Sequence, residues 1–173
     1  SDVCSSDLAT SHSFSRQESS RQKATEKIFA WLKEWEVAGH LGETTPEQAV
    51  ERLHIAKSLS EAVLHADIVI ENVPEILELK QVVWDEIDAL APAHALLTTN
   101  SSSLKSSDIG VNVRRKDKTF NVNYMTPTKD DMVEVMWNAY TSEETKSLAL
   151  TFLHAQHYVP VITQKEIKGF SLN

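Results

Sequence analysis

The chain is short of the residues that carry much of protein chemistry elsewhere. Cys4 is its one cysteine in 173 residues, so no internal disulfide can form and no zinc-type cysteine spacing exists. There are four glycines, Gly39, Gly42, Gly110 and Gly169. Nowhere do three fall within six residues, as a dinucleotide-cradling loop requires. No apolar run approaches the ~20 residues of a membrane-spanning helix, and the basic start and apolar core of a signal peptide are absent. Positive charge is scarce: 17 Lys and Arg stand against 25 Asp and Glu, a formal net charge of −8. Nucleic acid is therefore a poor partner, because phosphate neutralisation needs clustered Lys and Arg. His154 and His157 lie three apart on an expected helix, but no third ligand is near, so no metal site is expected. What is present, 41% hydrophobic and 24% charged residues, is the composition of a soluble globular domain, expected to be reduced and cytoplasmic.

Residues 1–14 read as a disordered tail. Within it, Asp2-Val3-Cys4-Ser5-Ser6-Asp7-Leu8 resembles the in-frame translation of a sequencing-adapter oligonucleotide fused to a truncated reading frame. Such scars are left out of fold reasoning, and Cys4 then carries no information.

From Ser15 to Ala38 the residues Ile28, Trp31, Leu32 and Trp35 recur at steps of three and four, which predicts one helix with a core-facing stripe holding both tryptophans. Gly39 stops it. Thr45-Pro46 caps and opens a short helix to Leu53. Leu53, Ile55 and Ala56 form a short strand, and Ser58 or Ser60 caps a helix ending near His65. Asp67 to Val73 is a β-branched run of the kind found in parallel strands buried on both faces. Ile76, Leu79, Val83 and Ile87 mark a helix of about four turns. Ala95–Asn100 and Thr119–Tyr124 are further strands. Met132–Met136 alternates as an edge or antiparallel strand, Ser142 with Thr145 opens a helix to about His157, and Val159–Ile162 is a last strand whose Pro160 favours an edge. Strands alternating with helices predict an α/β sheet.

Six blocks then occur in order: Ala66 to Glu75 (ADIVIENVPE), Leu79-Lys80, Thr99 to Leu104 (TNSSSL), Phe120 to Pro127, Met132 to Val135 followed by Thr141 to Thr145, and Lys168 to Asn173 (KGFSLN). Together they resemble the nucleotide-binding domain of NAD-dependent 3-hydroxyacyl-CoA dehydrogenases. The resemblance implies a mostly parallel Rossmann-type sheet with flanking helices, and an oxidoreductase of acyl-CoA metabolism with NAD as cofactor. It also implies that the first βαβ unit, with the glycine loop, and a C-terminal helical domain are missing, so that residues 15–173 are a partial NAD-binding domain. A whole protein of this kind would be a homodimer through that helical domain, and the chain alone is expected to be inactive. In the strand order 3-2-1-4-5-6, the run from Ile68 to Val73 would then become an open apolar edge.

The resemblance also assigns roles. Glu75, Lys80 and Ser102 match positions at the nicotinamide end of the cofactor, and Thr126 stands where the family has a cofactor-contacting asparagine. Ser102 and Asn173 match residues that reach the substrate oxygen. Asn123 stands where the family has its base histidine, and Glu134 matches the glutamate that orients it. An asparagine can hydrogen-bond a substrate oxygen but cannot take its proton near neutral pH, and loss of the base costs about 10²–10⁴ in rate. Three readings stay open: an inactive relative that binds nucleotide or acyl-CoA, a different base (Tyr124 or Glu134 being nearest), or a changed substrate class.

Overall fold

The structure is a computed structural model that describes residues 10–39, 41–124, 132–163 and 165–169. The chain divides into two compact units, Ser1–Leu64 and His65–Asn173.

In the first unit, β1 (Ser11–Ser13), α1 (Glu18–Val37), α2 (Pro46–Glu51), β2 (Leu53–Ile55) and α3 (Leu59–Val63) follow in order. The Thr45 side chain accepts from the Gln48 amide while Gln48 reaches back to the Thr45 amide, a capping box that starts α2 with Pro46 in its first turn. The Ser58 side chain caps α3 by accepting from the Glu61 amide. β1 runs parallel to β2 with His12 opposite His54, and the two imidazoles stack with ring centroids 5.0 Å apart. This strand lies inside the stretch expected to be a tail, so order begins earlier than the composition suggested. The expected core role of the tryptophans is also corrected. No residue of α1 is buried, and Trp31 and Trp35 are 62% and 40% exposed. The reason is geometric: at 1.5 Å per residue the 20-residue α1 is about 30 Å long, and within its unit it packs chiefly on the short α2 and β2.

The second unit carries β3 (Ile68–Glu71), α4 (Leu77–Leu90), β4 (Leu96–Thr99), α5 (Ser106–Ile109), β5 (Thr119–Tyr124), β6 (Met132–Trp137), α6 (Glu143–Ala155) and β7 (Val159–Ile162). The strands order as β3-β4-β5-β6-β7. β3, β4 and β5 are mutually parallel, β6 is antiparallel to β5, and β7 is parallel to β6. The expected strands, the antiparallel β6 and the edge position of Pro160 are all observed. The short α5 and a 3₁₀ turn at Lys116–Lys118 were not anticipated, because each is too short to show a period. Among the described residues, no strand pairs with the outer side of β3, and β3 pairs directly with β4. Reading Ile68 to Val73 as the third strand of a 3-2-1-4-5-6 sheet would leave the place of two missing strands between them, so that assignment is corrected.

Strand parity divides the sheet into two different faces. Leu96, Phe120, Val122, Val133 and Val135 form an apolar cluster with Ala149 and Leu153 of α6. α4 buries Val83, Trp84 and Ile87. Its C-terminus is closed by Arg115, whose guanidinium donates to the carbonyls of Asp88 (2.7 Å), Ala91 (3.1 Å) and Pro92 while its Nε meets the Asp88 carboxylate at 2.7 Å. A cation on the last carbonyls of a helix answers both their missing donors and the negative end of the helix dipole. The other end of α4 begins beside the C-terminal ends of β3, β4 and β5, the edge at which α/β sheets bind ligands.

Candidate active site

Phe120, Val122 and Tyr124 face the apolar cluster, so alternation along β5 turns Thr119, Asn121 and Asn123 to the other side of the sheet. In the antiparallel register Asn123 lies directly opposite Glu134, and side chains so paired share a face. Both are buried, at 8% and 1% exposure. The sheet thus brings together Asn123 and Glu134, the two residues expected from the resemblance at the base and orienting positions. Asn100 ties this strand end to its neighbours. Its side-chain amide donates to Asn72 Oδ1 at 2.8 Å, and its Oδ1 accepts from the Tyr124 amide at 2.9 Å.

The loop that follows Asn100 is gathered around Glu75. Glu75 Oε1 accepts from the hydroxyl of Ser101, from the hydroxyl of Ser103 at 2.7 Å and from the Ser103 amide at 3.1 Å. Ser102, between two anchored serines, is exposed. Burial opposes ionisation of Glu75, but the serine hydrogen bonds and the charge of Lys80 outweigh it and hold the carboxyl down at about 2. At neutral pH it is a fixed negative charge.

Lys80 is buried to 1% exposure on the first turns of α4, and its ammonium is turned inward. It donates to Glu71 Oε1 at 2.9 Å and Oε2 at 3.1 Å and to the Val73 carbonyl at 2.9 Å, with Glu75 Oε2 at 3.4 Å. Glu71 ends β3 and also accepts from the Thr99 hydroxyl at 2.8 Å and from the Val73 amide. Sequence reasoning missed Glu71, Thr99, Ser101 and Ser103. A carboxylate closing an apolar strand, nine residues before a lysine on the next helix, was the available signal.

The remaining expected residues, Thr126 and Asn173, lie outside the described residues. The strap that leads toward Asn173 is anchored nearby. Glu166 Oε1 accepts from the Ser106 hydroxyl at 3.0 Å and the Ser107 amide at 2.9 Å. Gly169, at φ +83°, sits beside the Ser102 carbonyl.

Tyr124, weighed as a replacement base, is corrected by its position. It packs on the apolar face against Tyr158, with ring centroids 5.4 Å apart. Burial, and secondarily Tyr158, push its phenol above the ordinary value, the wrong direction for a base. Among the described residues no three His, Cys, Asp or Glu are placed to hold a metal, and no helix is long and apolar enough to cross a membrane. Within the first unit a cleft of about 350 Å³ opens beside the end of β2, lined by Glu18, Arg21, Gln22, Ile55, Ala56 and Lys57.

A mostly parallel sheet with these groups at its ligand-binding edge is matched over residues 3–167 by the model for the 3-hydroxyacyl-CoA dehydrogenase NAD binding domain. The chain belongs to that family. Relatives include L-carnitine dehydrogenase of Mesorhizobium japonicum, 34% identical over 69% of this chain and 33% of its own length. A probable 3-hydroxybutyryl-CoA dehydrogenase of Bacillus subtilis is also 34% identical, over 62% of this chain and 37% of its own. Among solved structures, a diketoreductase described as acting on dicarbonyl compounds superimposes with TM-score 0.87 at 27% identity, over 95% of this chain and 59% of that one. The chain spans about a third of the length of these two curated relatives. The family fold is the Rossmann-type α/β fold, and the family is one of NAD-dependent oxidoreductases acting on hydroxyl carbons.

Proposed function

We propose that this chain serves within a whole protein that interconverts 3-hydroxyacyl-CoA and 3-oxoacyl-CoA by hydride transfer with NAD. The reading is carried by one observation: the serine loop gathered by Glu75 and the Asn123–Glu134 pair lie at the same ends of β4 and β5, joined through Asn100. When bound, NAD supplies the hydride acceptor. The chain's own residues do the rest. Ser102 presents its hydroxyl to the substrate oxygen, and Asn123 adds an amide hydrogen bond to the same oxygen. The ionised Glu75, with Lys80 at 3.4 Å, would help hold the cofactor and supply a fixed negative charge there. Proton transfer falls to Glu134, which shares the face of Asn123. Thr126 and Asn173 complete the cofactor and substrate contacts. The whole protein is cytoplasmic and dimeric, with an acyl-CoA as its small-molecule substrate.

A second reading is favoured by Asn123 itself: a relative that binds nucleotide or acyl-CoA without turnover. Assay of the whole protein with acetoacetyl-CoA and NADH separates the two. Oxidation of NADH supports the enzyme, and saturable binding with no oxidation supports the binder. The 173-residue chain by itself contains no glycine loop to bring backbone N–H groups onto a pyrophosphate. Calorimetry on it is expected to show negligible NAD affinity, and micromolar binding would overturn that expectation.

A further inference from the structure

We propose that Glu71 is a positioning residue that keeps Lys80 from capturing Glu75, and so keeps the Ser101–Ser103 loop in place. The proposal deepens the reading above. Two carboxylates compete for one buried ammonium. Glu71 holds it at 2.9 and 3.1 Å, whereas Glu75 reaches it only at 3.4 Å. Glu75 instead spends its other oxygen on three donors from Ser101 and Ser103. This division depends on Glu71 being saturated and immobile. Its Oε2 is fixed by Thr99, its Oε1 by the Val73 amide, and it is 4% exposed at the last position of β3.

With Glu71 neutralised, an ammonium at 1% exposure keeps one carboxylate within reach. A buried charge stripped of its partner is costly, and the compensation available is for Glu75 to close on Lys80. The serines then lose their common acceptor. Ser101 Oγ, which also accepts from the Leu104 amide at 2.8 Å, is released, and Ser102 is no longer presented between fixed neighbours. Glu71 touches neither cofactor nor substrate in this scheme. It acts through Lys80.

Amide hydrogen exchange of Ser103 and Leu104, followed by NMR on the chain itself, tests the proposal. In Glu71→Gln these two amides are expected to exchange about tenfold faster, while the amides of β4 and α4 keep their wild-type rates. In Glu71→Gln/Lys80→Met, which removes the competing cation as well, their protection is expected to return. A residue needed only for packing gives the opposite result, because the second change adds to the damage. Wild-type protection of Ser103 in Glu71→Gln, or failure of the double variant to restore it, overturns the proposal. Should Glu71→Gln not fold, the double variant alone decides: a neutral pair of similar volume is tolerated where a broken pair is not, and an unprotected Ser103 there is refuting. The measurement uses no cofactor, so its failure is distinct from failure of the functional reading, which is scored by NADH oxidation in the whole protein.

Discussion

Replacing Glu75 with glutamine isolates the charge of a carboxylate while preserving its shape and its acceptor oxygen. The carboxyl is held at about 2 in the folded chain against an ordinary value of 4.5. At about 1.4 kcal/mol per pH unit, the full linkage would be roughly 3.5 kcal/mol. The side chain is 38% exposed, so solvent screening reduces the expected contribution to about 1–2 kcal/mol. The sign follows from the direction. A carboxyl whose folded value is depressed stabilises the fold above its unfolded value, and that stability is lost as pH falls from about 4.5 toward 2. Wild type is therefore expected to exceed Glu75→Gln by about 1–2 kcal/mol at pH 7 and to converge with it near pH 2. Urea unfolding across that range measures the difference. Emission of buried Trp84 and half-buried Trp137 reports on the second unit once the exposed Trp31 and Trp35 are replaced by phenylalanine. Asp88 is also held below its ordinary range, burial being outweighed by hydrogen bonds from Arg114 and Arg115. It titrates in both proteins and cancels. A gap that stays constant from pH 7 to pH 2.5 would refute the electrostatic account of Glu75.

Three further outcomes follow from the same geometry. Asn123→His in the whole protein is expected to raise the rate of NADH oxidation about 10²–10⁴-fold, because Glu134 already lies opposite to orient the imidazole; steady-state kinetics with acetoacetyl-CoA checks this, and no gain means that another group carries the proton. Gly110→Ala is expected to cost about 1–3 kcal/mol in urea unfolding, since an added Cβ would stand 3.1 Å from the Trp84 ring and 3.2 Å from the Ser106 carbonyl. Arg115→Met removes the cap of α4 and leaves Asp88 to the largely exposed Arg114; the expected loss is about 3 kcal/mol, and Asp88→Asn in the same background should recover part of it.

Much of the second unit was legible because its strands announce themselves twice. Ile68 to Val73 and Ala95 to Asn100 are apolar runs bounded by polar turns, and the same residues carry the motifs that resemble the family. The alternation of Met132 to Met136 made the antiparallel strand readable, and with it the pairing of Asn123 and Glu134. The first unit was harder. Its helix stripe is real in the sequence, yet α1 has too little around it within its unit to bury Trp31 and Trp35, and no local pattern records how much neighbouring surface exists. Ser11–Ser13 is a three-residue strand without an apolar residue, so only its pairing with Leu53–Ile55 reveals it. At the site, the inward turn of the Lys80 ammonium was invisible for a related reason. A lysine at the start of a helix reads as solvated until the strand that ends in Glu71 is placed beside it.

Parity also narrows the chemistry more than the motif did. Asn123 and Tyr124 are adjacent in sequence and equally near an expected base position, but a strand sends neighbours to opposite faces. Tyr124 is committed to the apolar face, where burial suppresses its ionisation. Glu134, distant by eleven residues, is brought by the antiparallel register to the face of Asn123. Within β5 and β6 that leaves one ionisable side chain on the site face, because Asn121 and Met136, the next pair along, carry no titratable group and Asn121 is engaged with Ser106 and Leu104. Any proton-transfer role drawn from these two strands therefore falls to Glu134. With asparagine rather than histidine at position 123, the proposed mechanism turns on whether Glu134 itself can reach the substrate.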